Sequence, residues 1–319
     1  MKYRHLGKSG IQLSELSLGS WLTFDDSTAL DTTVRLMATA YDAGVNFFDN
    51  AENYANGLSE EIMGAALKKL GWRRGSYLVS TKLYWGLHEG PNQQNTLNRK
   101  YLLEAIGGSL KRLNMDYVDL LYCHRPDPAT PVEETVWAMH NIIERGQALY
   151  WGTSEWAAAD ILDAIEFAER HHLHKPVVEQ PIYNLFSRHR FSEEYCAVYE
   201  EHGYGSTTFS PLASGMLTGK YLKGIPEDSR GAQYDFDWLK YELTNKERIS
   251  QTAALQPIAT EMGASLAQFA LAWCLLNPNV TSVITGASRI GQLQDNLGAI
   301  ELAGKFTPDV LARIDEIFK

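Results

Sequence analysis

Short runs of apolar and β-branched residues alternate with longer amphipathic runs along nearly the whole chain. The short runs predict strands over residues 15–20, 45–51, 77–83, 117–125, 148–156, 177–184, 205–213 and 281–288. Val118-Asp119-Leu120-Leu121-Tyr122-Cys123 is almost continuously apolar, as expected of a strand buried on both faces. The runs between them read as helices. Val34, Met37, Ala38 and Tyr41 recur at i, i+3, i+4 and i+7, with Gly44 as a C-terminal stop. Ser59 is expected to cap a helix carrying Ile62, Met63, Ala66, Leu67 and Leu70 on one side. Further stripes run through Leu102, Ile106 and Leu113; Val132, Val136 and Ile143; Ile161, Ile165 and Ala168; and Tyr195, Val198 and Tyr199. Leu266, Phe269 and Trp273 precede the last strand, and Ile290, Leu293 and Leu297 follow it.

Eight strand–helix units imply a parallel α/β fold, either an open doubly wound sheet or a closed barrel. The polar residues decide between them. Asp49, Lys82, His124, Ser154, Gln180, Ser210 and Ser288 all fall at or just past the C-terminal ends of different strands. A barrel gathers those ends around one mouth, whereas an open sheet spreads them along a line. The expectation is a (β/α)8 TIM barrel. Residues 2–14 read as a small hairpin that plugs the N-terminal mouth. Residues 214–247, after the seventh barrel strand, form a long connection of the kind that covers a site. No internal linker interrupts the pattern, so residues 1–319 are expected to form one domain.

Composition narrows the function. The 319 residues carry a formal net charge of −10, which disfavours nucleic acid unless a basic patch is present. Lys68, Lys69, Arg73 and Arg74 are the richest basic cluster, and they read as a solvated helix end. No apolar stretch is long enough to span a membrane, and the opening Met1-Lys2-Tyr3-Arg4-His5 lacks a signal-peptide core. Cys123, Cys196 and Cys274 are scattered without CxxC spacing, which suits a reducing compartment. Together these point to the cytoplasm.

Several catalytic vocabularies are missing: no GxGxxG, no GxSxG and no HExxH. Gly215-Met-Leu-Thr-Gly219-Lys220-Tyr221 is one residue short of a phosphate loop and ends in the wrong residue. His171, His172 and His174 lie at a helix end without supporting Cys or carboxylate ligands at metal-site spacing, so no metal is assigned. What remains is Asp49, Tyr54, Lys82 and His124, which a barrel would bring together. Their chemistry suits carbonyl reduction. Hydride attack on C=O builds an alkoxide that an acid must protonate. A tyrosine hydroxyl with pKa ~10 needs a nearby cation for that task. Lys82 would supply the charge, Asp49 would hold the lysine, and His124 would donate to the carbonyl oxygen. A metal-dependent barrel hydrolase using Asp49, His124 and Lys82 is the competing reading, weakened by too few histidines at strand ends.

The chain resembles the aldo-keto reductases. Phe47-Phe48-Asp49-Asn50-Ala51-Glu52-Asn53-Tyr54 is similar to that family's strand-end Asp followed by its catalytic Tyr, and Ser80-Thr81-Lys82 to its lysine strand. His124-Arg-Pro-Asp-Pro128, Tyr150-Trp-Gly-Thr-Ser-Glu-Trp156, Phe209-Ser-Pro-Leu-Ala-Ser-Gly215 and Ile284-Thr-Gly-Ala-Ser288 extend the match. Within the family it most resembles the branch of voltage-gated potassium channel β subunits and their plant and bacterial relatives.

The resemblance implies NADPH or NADP+ as cofactor and a small carbonyl substrate. Ser20 and Trp21 would approach the nicotinamide, Ser154 and Gln180 would hold its carboxamide, and Phe209 would stack on its ring. Ser210, Pro211, Leu212, Ala213 and Ser214, with Lys220 and Arg230, would line the pyrophosphate. Gly286, Ser288, Gln292, Asp295 and Asn296 would hold the 2′-phosphate and adenine. Trp21, Tyr84 and Trp85 would form an aromatic substrate rim beside Tyr54 and His124. Gln292 stands where many family members use arginine, and His124 where the mammalian channel subunits have Asn. A homotetramer and docking to a channel are further implications, giving a second function class, that of a cofactor-loaded redox sensor.

Overall fold

The computed structural model describes residues 1–25, 29–227, 229–233 and 236–319. A two-stranded antiparallel hairpin, β1 (Tyr3–His5) and β2 (Gln12–Ser14), precedes a closed barrel. The barrel strands are β3 (Leu16–Gly19), β4 (Phe47–Asp49), β5 (Leu78–Leu83), β6 (Val118–Cys123), β7 (Ala148–Thr153), β8 (Val178–Glu179), β9 (Gly205–Thr208) and β10 (Ser282–Thr285). They pair in parallel in chain order, and β10 returns to β3 to close the ring. Each of the eight expected strands is present and shorter than its apolar run, because the flanking residues are spent on the turns into the helices.

The helices lie outside the ring. They are α1 (Leu30–Asp42), α2 (Leu58–Leu70), α3 (Arg99–Leu113), α4 (Val132–Glu144), α5 (Ala158–Arg170), α6 (His189–Ser192) and α7 (Cys196–Glu200). Then follow α8 (Arg230–Gln233), α9 (Asp237–Thr244), α10 (Lys246–Glu261), α11 (Leu266–Leu275), α12 (Ile290–Leu297), α13 (Ala299–Ala303) and α14 (Pro308–Ile317). The apolar stripe of α1 buries Leu36, Met37 and Ala40, and that of α3 buries Leu102, Ile106 and Leu113. Asn98 accepts the Tyr101 amide to cap α3, and Ser265 with Gln268 forms a reciprocal capping box on α11. Ser59 does not cap α2. Gly57, at φ 91, turns the chain into that helix, which places Ser59 inside its first turn.

The hairpin closes the bottom of the ring. Leu6 and Leu13 are buried against Phe47, Leu120, Tyr122, Val178 and Ile284. Each such leucine contributes about 1.5–3 kcal/mol by leaving water. Arg4 donates to the carbonyls of Val280 (2.6 Å), Leu275 (2.8 Å) and Asn277 (3.3 Å), the last two at and just beyond the end of α11. Gly7 sits at φ 56 where a Cβ would come within 2.1 Å of the Gly203 carbonyl oxygen, so only glycine fits the plug there. The long connection after β9 contains two short helices, α8 and α9. No single helix among the described residues is long and apolar enough to cross a membrane.

Candidate active site

The strand ends open into one cleft of about 1120 Å³. At its floor β4 ends on Asp49, whose Oδ1 accepts from Ser80 Oγ (2.7 Å) and Gln180 Nε2 (3.1 Å). Its other oxygen takes Lys82 from β5. Lys82 is completely buried, and its ammonium donates to Asp49 Oδ2 (2.7 Å), the Asn50 carbonyl (2.8 Å) and the Tyr54 hydroxyl (3.1 Å). All three protons of the charge therefore have acceptors, the condition under which a buried ammonium persists. Tyr54 is aimed by a tight turn after β4, in which Ala55 (φ 47) and Asn56 (φ 53) are left-handed. The Tyr54 and His124 rings meet edge to face at 5.9 Å.

The protonation states follow from burial and charge. Burial works against the Lys82 ammonium, but Asp49 and Tyr54 outweigh it and hold the pKa above its usual value. Burial pushes the Tyr54 phenol up, and the Lys82 charge opposes this without reversing it. The lysine is thus where the sequence places it, while burial sets the net direction for the phenol. Burial first, and then the charges of Lys82 and Arg125, drive His124 well below the ordinary histidine range. His124 is a neutral imidazole, and its Nδ1 is buried without a partner.

Around this floor the cleft wall contains Trp21, Trp85, Ser154, Gln180, Phe209, Ser210, Pro211, Leu212 and Ser214. Ser154 donates to the Gln180 carbonyl at 2.9 Å. Ser210 (φ 53), Ala213 (φ 47) and Ser214 (φ 55) are left-handed although none is glycine. Such outliers cluster where a ligand must be cradled. Asn184 holds the first of them by donating to the Ser210 carbonyl at 2.9 Å. Further out stand Lys220, Gly286, Ser288, Gln292, Asp295 and Asn296. Gln292 accepts from both the amide (3.0 Å) and the hydroxyl (3.1 Å) of Ser288.

Three expected positions sit differently, and a fourth lies outside the described residues. Tyr84 does not line the cleft; it packs edge-on behind Trp85 at 4.9 Å, so Trp85 alone presents that part of the rim. The reason is Glu52, a buried carboxylate that accepts from the Tyr84 amide (2.9 Å), the Gly86 amide (3.1 Å) and the Tyr101 hydroxyl, tying the turn down. Ser20 is buried behind the wall, with its hydroxyl unpartnered, and Ala213 shapes the cradle through its backbone. The Arg230 side chain lies outside the described residues.

Arg289, Arg125 and Trp238 are among the wall residues that sequence reasoning missed. Arg289, next to Ser288, faces the cleft without an ion pair among the described residues, and its position at the start of α12 was a readable signal. Arg125 follows His124 directly and reaches the His124 carbonyl and Ser154 (3.3 Å). Trp238 on α9 lies over Trp21 at 6.5 Å, a contact between distant segments that no local pattern reveals.

A parallel barrel whose strand ends bring together Asp, Tyr, Lys and His narrows the comparison to few families. The aldo/keto reductase family model matches residues 15–319. This chain belongs to the aldo/keto reductase family. Within that family it is 52% identical over 318 residues to a rice (Oryza sativa subsp. japonica) protein named probable voltage-gated potassium channel subunit beta. That alignment covers 99% of this chain and 96% of the rice protein. It is 51% identical over 320 residues to an Arabidopsis thaliana protein of the same name, covering 100% of this chain and 97% of the relative. Members of the aldo/keto reductase family use a nicotinamide cofactor. The cleft fits one: a buried polar floor with an unpartnered imidazole nitrogen, an apolar middle at Phe209 and Trp21, and, at the far end, cations with no ion pair among the described residues.

Proposed function

We propose that this chain acts as one catalytic domain over residues 1–319, reducing small aldehydes and ketones to alcohols with NADPH, in the cytoplasm. The observation that carries this reading is the Tyr54 hydroxyl, 3.1 Å from a fully buried Lys82 ammonium at the floor of the cleft. Bound along the cleft, NADPH would supply the hydride. The chain's own residues provide the rest. Tyr54, a neutral phenol whose proton burial holds still more tightly, carries the proton that the new alkoxide needs. As that proton leaves, a phenolate forms beside Lys82, whose charge stabilises it, and solvent later returns the proton. Asp49 keeps the ammonium in place through its 2.7 Å contact. His124, held neutral, keeps one N–H with which to polarise the carbonyl oxygen. Trp21 and Trp85 bound the substrate end, and Phe209 supports the nicotinamide ring.

Lys220 and Arg289 suit the pyrophosphate and the 2′-phosphate, which favours NADPH over NADH. Tyr54→Phe tests the acid directly. Turnover of a reactive aldehyde should fall by roughly 10²–10⁴-fold while NADPH binding, followed by tryptophan fluorescence, stays unchanged. Full turnover in that variant would remove Tyr54 from its role.

A second reading rests on the names of the rice and Arabidopsis relatives. In it the cofactor-loaded barrel docks, as a tetramer, on a membrane channel and reports redox state. Tight NADPH binding without turnover of any carbonyl, together with co-purification from membranes, would put this reading first.

A further inference from the structure

The sequence reading left His171, His172 and His174 to solvent because no supporting ligand stood nearby in the chain. Folding supplies one. α4 carries His140 and Glu144 one helical turn apart on the same face, and the turn after α5 brings His174 onto that face. His174 Nε2 lies 2.9 Å from Glu144 Oε1, and the two histidine rings are 5.1 Å apart. One donor atom from each of the three residues lies within 4.8 Å of the others. His171 and His172 take no part; His171 packs on Phe167 instead.

We propose that His140, Glu144 and His174 form a binding site for a divalent transition-metal ion, with zinc as the ion to test. Two imidazoles and one carboxylate are a donor set that suits zinc, leaving a fourth position for water. Tetrahedral zinc with bonds of about 2.0–2.1 Å sets its ligands roughly 3.3–3.4 Å apart, so the three side chains must close slightly around the ion. Glu144 and His174 are exposed and can make that adjustment.

The backbone behind His174 is already fixed. Its carbonyl accepts the indole N–H of the buried Trp151 at 2.7 Å, and its amide donates to His140 Nδ1 at 3.2 Å. That second contact limits affinity. A metal on either nitrogen of His140 must displace it, by taking Nδ1 itself or by moving the ring proton onto Nδ1.

Position in the barrel gives the site its role. α4 and α5 both run back from the catalytic mouth, so the end of α4 and the turn after α5 meet at the opposite rim. The ion would tie α4 to the segment leading into β8, far from Asp49 and Lys82. It would stabilise the folded barrel without entering the reaction.

The test uses the full chain, stripped with EDTA and titrated with zinc chloride by calorimetry and by thermal melting. Zinc should raise Tm, and EDTA should reverse the rise. His140→Ala and His174→Ala should each remove one equivalent of binding, weakening it by at least the 10–100-fold that losing a partner behind a ligand costs. Glu144→Gln, which keeps size and exposure, should weaken binding while leaving the zinc-free Tm unchanged. Carbonyl turnover should be the same in all three zinc-free variants as in the parent. If the parent and the variants bind zinc with the same stoichiometry and affinity, or if the parent binds none, the site is refuted.

Discussion

The two ends of the cleft handle charge in opposite ways. At the floor, Lys82 and Asp49 are buried and paired, with every ammonium proton committed inside the protein. At the far end, Lys220 and Arg289 are exposed and carry no ion pair among the described residues. A paired buried charge is part of the folded state, ready before any ligand arrives. An unpaired exposed one waits for an anion and adds little to stability. The chemistry end is thus organised by folding and the binding end by its ligand.

The comparison breaks first at Lys82. Lys82→Met leaves Asp49 buried without its cation and should destabilise the fold by about 3–5 kcal/mol, read as a fall in the urea midpoint. Adding Asp49→Leu to it should recover much of that stability and none of the turnover. A single Lys82→Met as stable as the parent would mean that the floor is not organised by this pair.

The far end should respond the other way. Lys220→Ala and Arg289→Ala should each weaken NADPH by about 1.5–3 kcal/mol, the usual worth of a hydrogen bond to a charged group. Melting of the ligand-free protein should change by no more than about 0.5 kcal/mol. For Arg289→Ala, NADPH should lose more than NADH; equal losses would remove the arginine from the 2′-phosphate.

A last test comes from the helix-facing side of β8. Glu179 is fully buried and makes no ion pair among the described residues, and burial, only partly opposed by the more distant Arg190 charge, raises its carboxyl to about 8. A carboxyl raised from 4.5 stabilises the fold fully below pH 4.5, and that contribution is lost as pH rises through about 8. Glu179→Gln should therefore flatten the fall of Tm with rising pH over this window, gaining on the parent only toward alkaline pH. An unchanged pH profile would mean that Glu179 is ionised in the folded protein.

Much of this was legible in the chain because the informative contacts are local in pattern. Asp49, Lys82 and His124 could be read as strand-end residues without any three-dimensional knowledge, since parallel strands in a ring leave their ends nowhere else to go. Tyr54 followed from its spacing. Tyr84 did not, because its direction is set by Glu52, whose role depends on two amides more than thirty positions away. Trp238 over Trp21 and His140 beside His174 share that difficulty, each joining segments with no common periodicity. Strand ends were overrun because apolarity continues into the turns that shape the cleft, as at Phe209.

The hairpin plug bears on the order in which the chain can become a barrel. Its strands come before the barrel strands in the chain and can pair with each other at once. Arg4, however, finds its carbonyl partners 271 to 276 positions later, at Leu275, Asn277 and Val280. The bottom of the ring cannot seal until β10 has been synthesised, so during translation Leu6 and Leu13 would remain without the last of their cover, Ile284. The hairpin precedes every barrel strand in the chain yet is among the last elements to be secured, so it needs protection while the strands that cover it are made.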